Sequence, residues 1–459
     1  MEPGMLSTDE GMRPRRLQGE AQKKQEPRKM SPFLLKRKVF TESKSLFDEL
    51  LEVQHFRTIY NVFVAVLCIF VLRAVLVDFI DTGRIFLDFE VMVFAFGRLH
   101  MTFLPWLVMF LYTLLVPYQV LQIWVNLLKT LQMSTFLTII GAVVLLIGHA
   151  TVLGFYPVYT LISQPLGPAS CCIITFEQIR FLMKSYSFLR ETVPPILQAK
   201  SHDGKLQLPP FSTYLYFLFC PTLIYRENYP RTPCVRWRYV IENFAKFLIC
   251  LFYGAMLLKC FTIPIFSNMY KQPLTFRSFV LIVFSATLFA LYLKILICYA
   301  FLHCWFNAFA EMMRFADRTF YKDWWNATSV SAFLRNWNVI VHDWLHCYIY
   351  QDLLWIFKSK ARTVAVLSTF IVSGALHEYV FMMSLGFFYP LLSIFWFIVI
   401  STEILGMPKS NIILWMCILF GVALLFSMQS LEWYARIHCP VQKTTFWTRV
   451  TPRTWSCYS

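Results

Sequence analysis

Charge is what this sequence has least of. Only 15% of its 459 residues are Asp, Glu, Lys or Arg, whereas about a quarter of a soluble domain is charged. Residues 101–128, 130–176 and 410–431 contain none of these four residue types. Hydrophobic residues make up 58% of the chain, and a water-soluble fold could not hide that much apolar surface. The composition therefore excludes a soluble globular protein and indicates a protein solvated by lipid.

The apolar stretches also lack the alternation of apolar and polar residues that a membrane β-barrel requires. Because backbone groups in lipid must be satisfied within helices or closed barrels, these stretches are predicted to be membrane-spanning helices. A span needs about 20 apolar residues. Seven blocks are candidates: 57–77, 101–128, 130–176, 241–262, 278–310, 363–402 and 410–431. The blocks 278–310 and 363–402 are too long for one simple span, so seven blocks leave the number of helices open.

Acidic residues are fewer than basic ones, 26 against 42, and the net charge is +16. The basic clusters have no interleaved aromatic residues and no recognisable nucleic-acid-binding fold, so no nucleic acid partner is expected. Basic segments of membrane proteins are enriched on the cytosolic side and attract lipid head groups. A basic cytosolic opening also suits an anionic substrate.

The sequence contains no internal repeat, and its composition divides it into two regions. Residues 1–42 are rich in Pro, Gly, Gln and Lys and are predicted to form a disordered, basic, cytosolic N-terminus. Residues 43–459 are predicted to form one membrane domain. Within it, residues 43–56 have helical spacing with Ser45 as a candidate N-cap, which predicts a helix on the membrane surface. Residues 191–211 are rich in Pro and charge, which predicts a loop.

Two polar constellations interrupt the apolar blocks. In TFIVSGALHEY (369–379), His377 and Glu378 follow Ser373, which lies on the same helix face as His377. In WNVIVHDW (337–344), Asn338 and His342 are also four residues apart. Ionisable residues inside a membrane are rare and mark functional sites. A histidine can accept a proton and an asparagine can donate to an oxyanion, so the pair predicts acyl transfer to an alcohol in a chamber closed to bulk water.

One alternative from the residues alone is a zinc site. HDWLH (342–346) has the spacing of the zinc-binding H-E-x-x-H helix, with Asp in place of Glu. A catalytic zinc needs three protein ligands, and the sequence places no obvious third one. No metal is expected.

The segment FYKDWWN resembles the signature of the sterol and diacylglycerol branch of the membrane-bound O-acyltransferases. The matching residues are Phe320, Tyr321, Asp323, Trp324, Trp325 and Asn326. Further stretches are similar to the sterol O-acyltransferases in particular: 50–60, 176–191, 214–233, 301–318, 337–344 and 432–440. The resemblance covers nearly the whole chain beyond residue 40. It is closer to the sterol branch because the residue after His342 is Asp, where the diacylglycerol enzymes usually have Lys.

The resemblance implies an all-α polytopic fold of the membrane-bound O-acyltransferase type, with about nine transmembrane helices around a buried reaction chamber. It implies a multi-pass protein of the endoplasmic reticulum membrane that transfers a long-chain fatty acyl group from acyl-CoA to the 3β-hydroxyl of cholesterol. Acyl-CoA would come from the cytosol and the sterol from the membrane lipid. Acyl-CoA is a co-substrate, and no cofactor is expected. Two alternatives stay open: a diacylglycerol O-acyltransferase, and a non-catalytic membrane transporter or scaffold.

The resemblance also assigns roles to residues. His377 is the expected catalytic base and Asn338 its support. The FYKDWWN residues are expected to keep a cytosolic loop in shape. His55, before the first span, is a candidate substrate contact. The residues expected to line the acyl-CoA path are Arg335, Asn338, His342, Tyr350, Arg362 and Ser373.

Two regions depart from the family. The N-terminal segment is short and lacks the helix by which these enzymes form tetramers, so a homodimer is expected. Residues 401–415 are fewer than in the family, which predicts an altered loop before the last helix. In the C-terminal tail, Cys439 and Cys457 are expected to form a disulfide if the tail is lumenal and to stay reduced if it is cytosolic.

Overall fold

The computed structural model describes residues 37–83, 89–130, 135–201, 207–267, 274–357, 362–404, 406, 409–441 and 445–457. Most of the N-terminal segment predicted to be disordered, positions 1–36, lies outside these described residues. The residues from Lys38 onward form one compact unit. Within the described ranges the chain has no β-strand, and its two isolated β-bridges join Ser43 to Asp317 and Arg231 to Phe315.

The fold consists of α-helices, several of which continue into one another through short segments of π- or 3-10 helix. In chain order the α-helices are α1 (Leu46–Glu52), α2 (Gln54–Thr82), α3 (Glu90–Ala95), α4 (Phe103–Thr130), α5 (Thr135–Gly148), α6 (Tyr156–Ser163), α7 (Pro168–Ser201), α8 (Phe211–Phe219), α9 (Trp237–Leu257), α10 (Ile263–Ser267), α11 (Phe276–Cys298), α12 (Phe306–Met312), α13 (Val330–Trp337), α14 (Val339–Trp344), α15 (Gln351–Ile356), α16 (Arg362–Leu385), α17 (Leu391–Ile404), α18 (Asn411–His438), α19 (Phe446–Val450) and α20 (Thr454–Cys457). The π segments are His149–Phe155, Leu258–Thr262, Tyr299–Trp305 and Leu345–Tyr350, and the 3-10 segments are Leu99–Thr102 and Trp324–Asn326.

Seven helices of the described chain are long and apolar enough to cross a membrane. They are Gln54–Asp81, Glu90–Thr130, Thr138–Ser163, Trp237–Ser267, Phe276–Met312, Arg362–Leu385 and Asn411–His438. Two more helices would raise the count to the expected nine. One is the 34-residue α7, which carries several charged residues, and the other is α17, which has only 14 residues. The predicted all-α polytopic membrane fold is confirmed.

The two blocks that were too long for one span have different outcomes. Residues 363–402 divide between α16 and α17. Residues 278–310 lie in one continuous helix from Phe276 to Met312. The last part of that helix is enclosed by protein, with His303, Asn307 and Glu311 all buried. Its length therefore exceeds the membrane because it ends inside the protein, on the side where the FYKDWWN segment lies.

The loop predicted at residues 191–211 is wrong in its first half, because α7 continues to Ser201 through Pro194 and Pro195. Proline removes a helix hydrogen bond, but tertiary contacts on both sides of the pair outweigh this loss. Before it, Arg190 forms an ion pair with Asp352 at 2.7 Å. After it, Ile196 is buried against α4. Local propensity is a weak predictor where such packing exists.

The helix predicted at residues 43–56 is present in part as α1, Leu46–Glu52, and its contact with a membrane surface stays a prediction. Ser45 occupies the N-cap position of α1, but its side chain makes no hydrogen bond to the helix. Its hydroxyl is buried and lies 3.2 Å from Nδ1 of His303, and it accepts a 3.1 Å hydrogen bond from Asn307. Phe47 packs edge-on against the His303 ring. Because these partners lie inside the protein, α1 is anchored to the helix that contains His303.

Helix α7 is held to α8 by a buried cation. The ammonium of Lys184 donates to the carbonyl oxygens of Phe217, Leu218 and Cys220 at 2.6, 3.0 and 2.8 Å. These carbonyls are at the C-terminus of α8, where backbone acceptors lack helical partners and attract positive charge. The contact explains why a lysine is buried in an apolar core: all three of its protons are used.

Helices α17 and α18 approach closely at Gly421, and this contact allows a stability prediction. A methyl group added at Gly421 would overlap the ring of Phe395, whereas one added at Gly141 would meet nothing within 4 Å. We expect Gly421→Ala to destabilise the protein by about 1–3 kcal/mol through overpacking. Gly141→Ala is the matched control and should leave stability unchanged or raised, since alanine is the better helix former. Thermal unfolding of both variants in detergent measures the difference, and equal midpoints would contradict this close packing.

Candidate active site

The FYKDWWN segment begins with two buried aromatic residues. Phe320 and Tyr321 lie in the largest hydrophobic cluster of the fold. The hydroxyl of Tyr321 is 3.0 Å from Nδ1 of His303. The backbone carbonyl of Phe320 accepts a 2.9 Å hydrogen bond from the N–H of Val339. The segment is thereby joined to the buried helix end on one side and to α14 on the other.

Trp324 is the centre of an aromatic cluster. Its ring contacts those of Trp325, Phe333, Trp337 and Trp415, with ring centroids 4.7–5.9 Å apart. Phe333 and Trp337 are one turn apart on α13, and Trp415 is on α18. The cluster therefore ties the segment to two helices. It also places Trp337 firmly, and Trp337 directly precedes Asn338.

The rest of the segment forms a short turn. Trp324–Asn326 is a 3-10 segment in which the N–H of Asn326 donates to the carbonyl of Asp323 at 3.0 Å. Both Asp323 and Asn326 are exposed. Asn411, the first residue of α18, donates its side-chain amide to the carbonyls of Trp325 and Ala327 at 2.9 and 2.8 Å. Sequence reasoning missed Asn411, whose only signal was its position at the start of an apolar helix.

This anchor leads to a prediction. Asn411→Ala removes both hydrogen bonds. The Trp325 carbonyl keeps a 3.2 Å hydrogen bond from the Trp415 indole, but the Ala327 carbonyl loses the Asn411 donor, which should cost about 1–3 kcal/mol. Ser410→Ala is the control, because Ser410 occupies the N-cap position of α18 without a side-chain hydrogen bond. Thermal unfolding in detergent should show a lower midpoint for Asn411→Ala and an unchanged one for Ser410→Ala. Equal midpoints would mean that the anchor contributes nothing.

Asn338 lies at the junction of α13 and α14 and caps the second helix. Its Oδ1 atom accepts a 3.2 Å hydrogen bond from the N–H of Val341. This bond fixes which end of the amide faces the helix. The other end, the Nδ2 amino group, has no acceptor in the described part of the chain and is half-buried. The cap therefore fixes the orientation of the Asn338 amide, and its Nδ2 group is available as a hydrogen-bond donor.

His342 begins a stack of rings along one helix face. Its ring centroid is 6.0 Å from that of His346, which is 5.3 Å from that of Tyr350. The HDWLH histidines of the zinc alternative therefore stack on each other. Among the described residues, no three His, Cys, Asp or Glu side chains are grouped so as to hold a metal ion.

Asp343, beside this stack, is anchored by two partners. Its carboxylate forms a 2.8 Å ion pair with Lys38 and lies 3.4 Å from Nδ1 of His342. Burial raises the pKa of Asp343, but the hydrogen bonds from His342 and Lys38 outweigh burial and hold the pKa below its usual range. The carboxylate is therefore ionised near neutral pH, and it fixes the start of the compact unit against α14.

His377 projects from α16 with a defined tautomer. Its Nδ1 atom lies 2.7 Å from the carbonyl oxygen of Ser373. A carbonyl can only accept, so Nδ1 carries the hydrogen, and in the neutral imidazole Nε2 is then left with a free lone pair. Ser373 thus contributes its backbone to this site. The exposed imidazole offers Nε2 as a proton acceptor.

The neighbouring residues show where His377 points. Glu378 is buried, and its carboxylate accepts a 2.8 Å hydrogen bond from the N–H of Ser393 on α17. Tyr379 donates to Gln178 on α7 at 2.6 Å. Ala375 is exposed and lies about 200° around the helix from His377. His377 therefore occupies the opposite side of α16 from Ala375, and its ring lies 6.2 Å from that of Trp396 on α17.

The structure brings some of the predicted site residues together and leaves others apart. His342 and Tyr350 share one helix face, and α16 packs against the same segment through Val372. Arg335 is exposed on α13, with its guanidinium 2.5 Å from the hydroxyl of Ser331. Arg362 is the exposed first residue of α16. His55 is exposed on α2, and in the described chain no hydrogen bond or ring contact joins it to the other candidates.

The predicted disulfide is confirmed, since Cys439 and Cys457 are bonded. A buried carboxylate supports the same tail. Glu432 accepts hydrogen bonds from the backbone N–H groups of Arg453 and Thr454 at 2.9 Å and from the Arg436 guanidinium at 2.6 Å. The tail therefore folds back onto the end of α18.

Comparison with known proteins identifies the family of the chain. The sequence pattern of the MBOAT, membrane-bound O-acyltransferase family matches residues 91–430. The chain is 50% identical over 439 residues to human sterol O-acyltransferase 2, a match that covers 94% of this chain and 83% of the relative. It is 49% identical to the mouse sterol O-acyltransferase 2, over 92% of this chain and 81% of the relative. It is 44% identical to mouse sterol O-acyltransferase 1, over 92% and 79%.

These matches confirm the resemblance carried by FYKDWWN and its flanking stretches. They span nearly all of the described helices, including α13, α14 and α16 with their candidate residues. The chain is a multi-pass membrane protein that belongs to the membrane-bound O-acyltransferase family.

Proposed function

We propose that this chain transfers a long-chain fatty acyl group from acyl-CoA to the 3β-hydroxyl of cholesterol. Family membership supports acyl transfer to a hydroxyl. The relatives reported above are named for sterols and match over most of their length, which supports a sterol as the alcohol. The product is a cholesteryl ester, which leaves into the lipid, while CoA returns to the cytosol.

One observation carries the mechanism. The hydrogen bond from Nδ1 of His377 to the carbonyl of Ser373 holds the imidazole with Nε2 free. A general base must reach its proton at about 2.6–3.2 Å. An alcohol that enters beside the exposed imidazole would present its hydroxyl to Nε2.

The reaction follows in two steps. The sterol oxygen attacks the thioester carbonyl carbon while Nε2 of His377 takes the hydroxyl proton, which gives a tetrahedral oxyanion and an imidazolium. The carbon–sulfur bond then breaks, the carbonyl re-forms, and the imidazolium returns the proton to the CoA sulfur. The Nδ2 group of Asn338 is the donor assigned to the oxyanion. The hydrogen bond from the Val341 N–H to Oδ1 of Asn338 fixes the orientation of this donor.

The proposal also includes the residues that contact acyl-CoA. Arg335 and Arg362 are exposed cations, which suits the phosphates of CoA. His342 and Tyr350 offer a continuous ring face for the acyl-CoA arm. Ser373 lies beside the base, and His55 on α2 is the weaker candidate substrate contact. On the basis of the resemblance, the chain is also proposed to lie in the endoplasmic reticulum membrane, in contact with its lipid, and to form a homodimer.

The test is an assay of the purified full chain in lipid nanodiscs with labelled oleoyl-CoA. Cholesterol and dioleoylglycerol are offered separately, and a third sample has no acceptor. We expect cholesteryl oleate from the first sample only. Triacylglycerol alone would assign the alcohol to the diacylglycerol branch. No ester from a well-folded chain would favour a transporter or scaffold. Mass photometry of the same sample measures whether the chain is a dimer.

A further inference from the structure

An aromatic side chain of α17 lies beside the ring of His377. The ring centroid of Trp396 is 6.2 Å from that of His377, and the two ring planes are inclined by 34°. The ring centroid of Phe370, two turns before His377 on α16, also lies 6.2 Å from that of Trp396. All three rings therefore line one cleft between α16 and α17. Trp396 is only partly buried.

The register of α17 against α16 is fixed at its first turn. The N–H of Ser393 has no carbonyl partner within the helix, and the carboxylate of Glu378 supplies one at 2.8 Å. A carboxylate at a helix N-terminus is also favoured by the helix dipole. A methyl group added at Gly374 would lie only 3.4 Å from the Ser393 hydroxyl, so the two helices are close here. Trp396 follows Ser393 by three residues and therefore faces α16 as well.

The other side of α17 is held by α18 and leaves Trp396 little freedom to turn away. Phe395 packs directly on the backbone at Gly421. Phe397 is 71% exposed and Ile394 is 52% exposed, which places them toward lipid. The indole of Trp396 is thus the aromatic group of this helix that borders the cleft of His377.

We propose that Trp396 selects the alcohol, by giving a flat wall against which the rigid ring system of a sterol lies while its 3β-hydroxyl reaches His377. An alcohol oxygen about 3 Å from Nε2 brings its attached carbons within van der Waals reach of an indole this close to the imidazole. A planar, rigid ring system can cover that face without loss of conformational freedom. A flexible chain would have to be ordered to do the same, at a cost for each rotor that is fixed. Trp396 is a specificity residue and takes no part in proton transfer.

This inference rests on the proposed acyl transfer, so its test separates the two. Cholesterol and hexadecan-1-ol compete in the same nanodiscs for labelled oleoyl-CoA, and the ratio of cholesteryl to hexadecyl ester is measured. A ratio is independent of how much of a preparation is folded. Wild type, Trp396→Leu, Trp396→Phe and the control Phe397→Leu are compared. Phe397→Leu removes an aromatic ring from the same helix on its lipid-facing side.

We expect Trp396→Leu to lower the ester ratio about tenfold, the effect of losing one well-placed aromatic contact. Trp396→Phe should fall between Leu and wild type, and Phe397→Leu should match wild type. The KM for oleoyl-CoA should stay within about twofold. A wild-type ratio retained by Trp396→Leu, or an equal fall in Phe397→Leu, would overturn the inference alone. If wild type forms neither ester, the proposed function itself fails, and the inference fails with it.

Discussion

Replacing His377 with alanine is expected to lower kcat for cholesteryl ester formation by about 10²- to 10⁴-fold, the usual contribution of a general base. The sterol hydroxyl is then left without an acceptor for its proton, because Nε2 is the nitrogen of His377 that has a free lone pair. Substrate binding depends on other side chains, so the KM for oleoyl-CoA should change little. Initial rates with labelled oleoyl-CoA and cholesterol measure both constants.

The control for this variant is His100→Ala. His100 is exposed in the 3-10 segment Leu99–Thr102, which is far along the chain from α16 and carries no expected role. Both variants should unfold at the wild-type temperature, since His377 is exposed and its one hydrogen bond is to its own helix. A kcat within threefold of wild type for a folded His377→Ala protein would remove this residue from the mechanism.

Several features of the fold and of the candidate site could be predicted from the sequence alone. The membrane spans were predictable because a long apolar run is a local property that lipid alone demands. His377 was singled out as a candidate because ionisable residues inside such runs are rare. The disulfide partners were visible because Cys439 and Cys457 flank one short polar tail. Each of these signals is contained in a single stretch of sequence.

The features that were missed depend on partners far apart in the chain. Helix α7 passes through Pro194 and Pro195 because Arg190 and Ile196 have partners on other helices. Ser45 turns inward because its hydroxyl lies 3.2 Å from Nδ1 of His303, more than 250 positions later in the chain. Trp396 could not be assigned from its sequence context, since any tryptophan near a membrane surface reads as an interfacial anchor. Its position beside His377 depends on the packing of α17 against α16, which the hydrogen bond from Ser393 to Glu378 fixes.

Replacing Asn338 with aspartate is expected to lower kcat by about 10²- to 10³-fold, the usual cost of losing one oxyanion donor. The structure gives Asn338 two separable functions, because Oδ1 caps α14 while Nδ2 is free. Aspartate keeps the capping oxygen, and it is among the preferred N-cap residues. It replaces only the amino group, and puts an acceptor where the oxyanion would need a donor.

The comparison with Asn338→Ala separates the two functions. Alanine removes both the donor and the cap, so it should lower kcat and also destabilise the protein by about 0.5–2 kcal/mol. Asn338→Asp should lower kcat alone, with the thermal midpoint unchanged in detergent. If Asn338→Asp keeps wild-type kcat while Asn338→Ala loses stability, then Asn338 only holds α14 in place. The oxyanion would in that case be stabilised by a different group, and the mechanism would keep its base while losing its assigned donor.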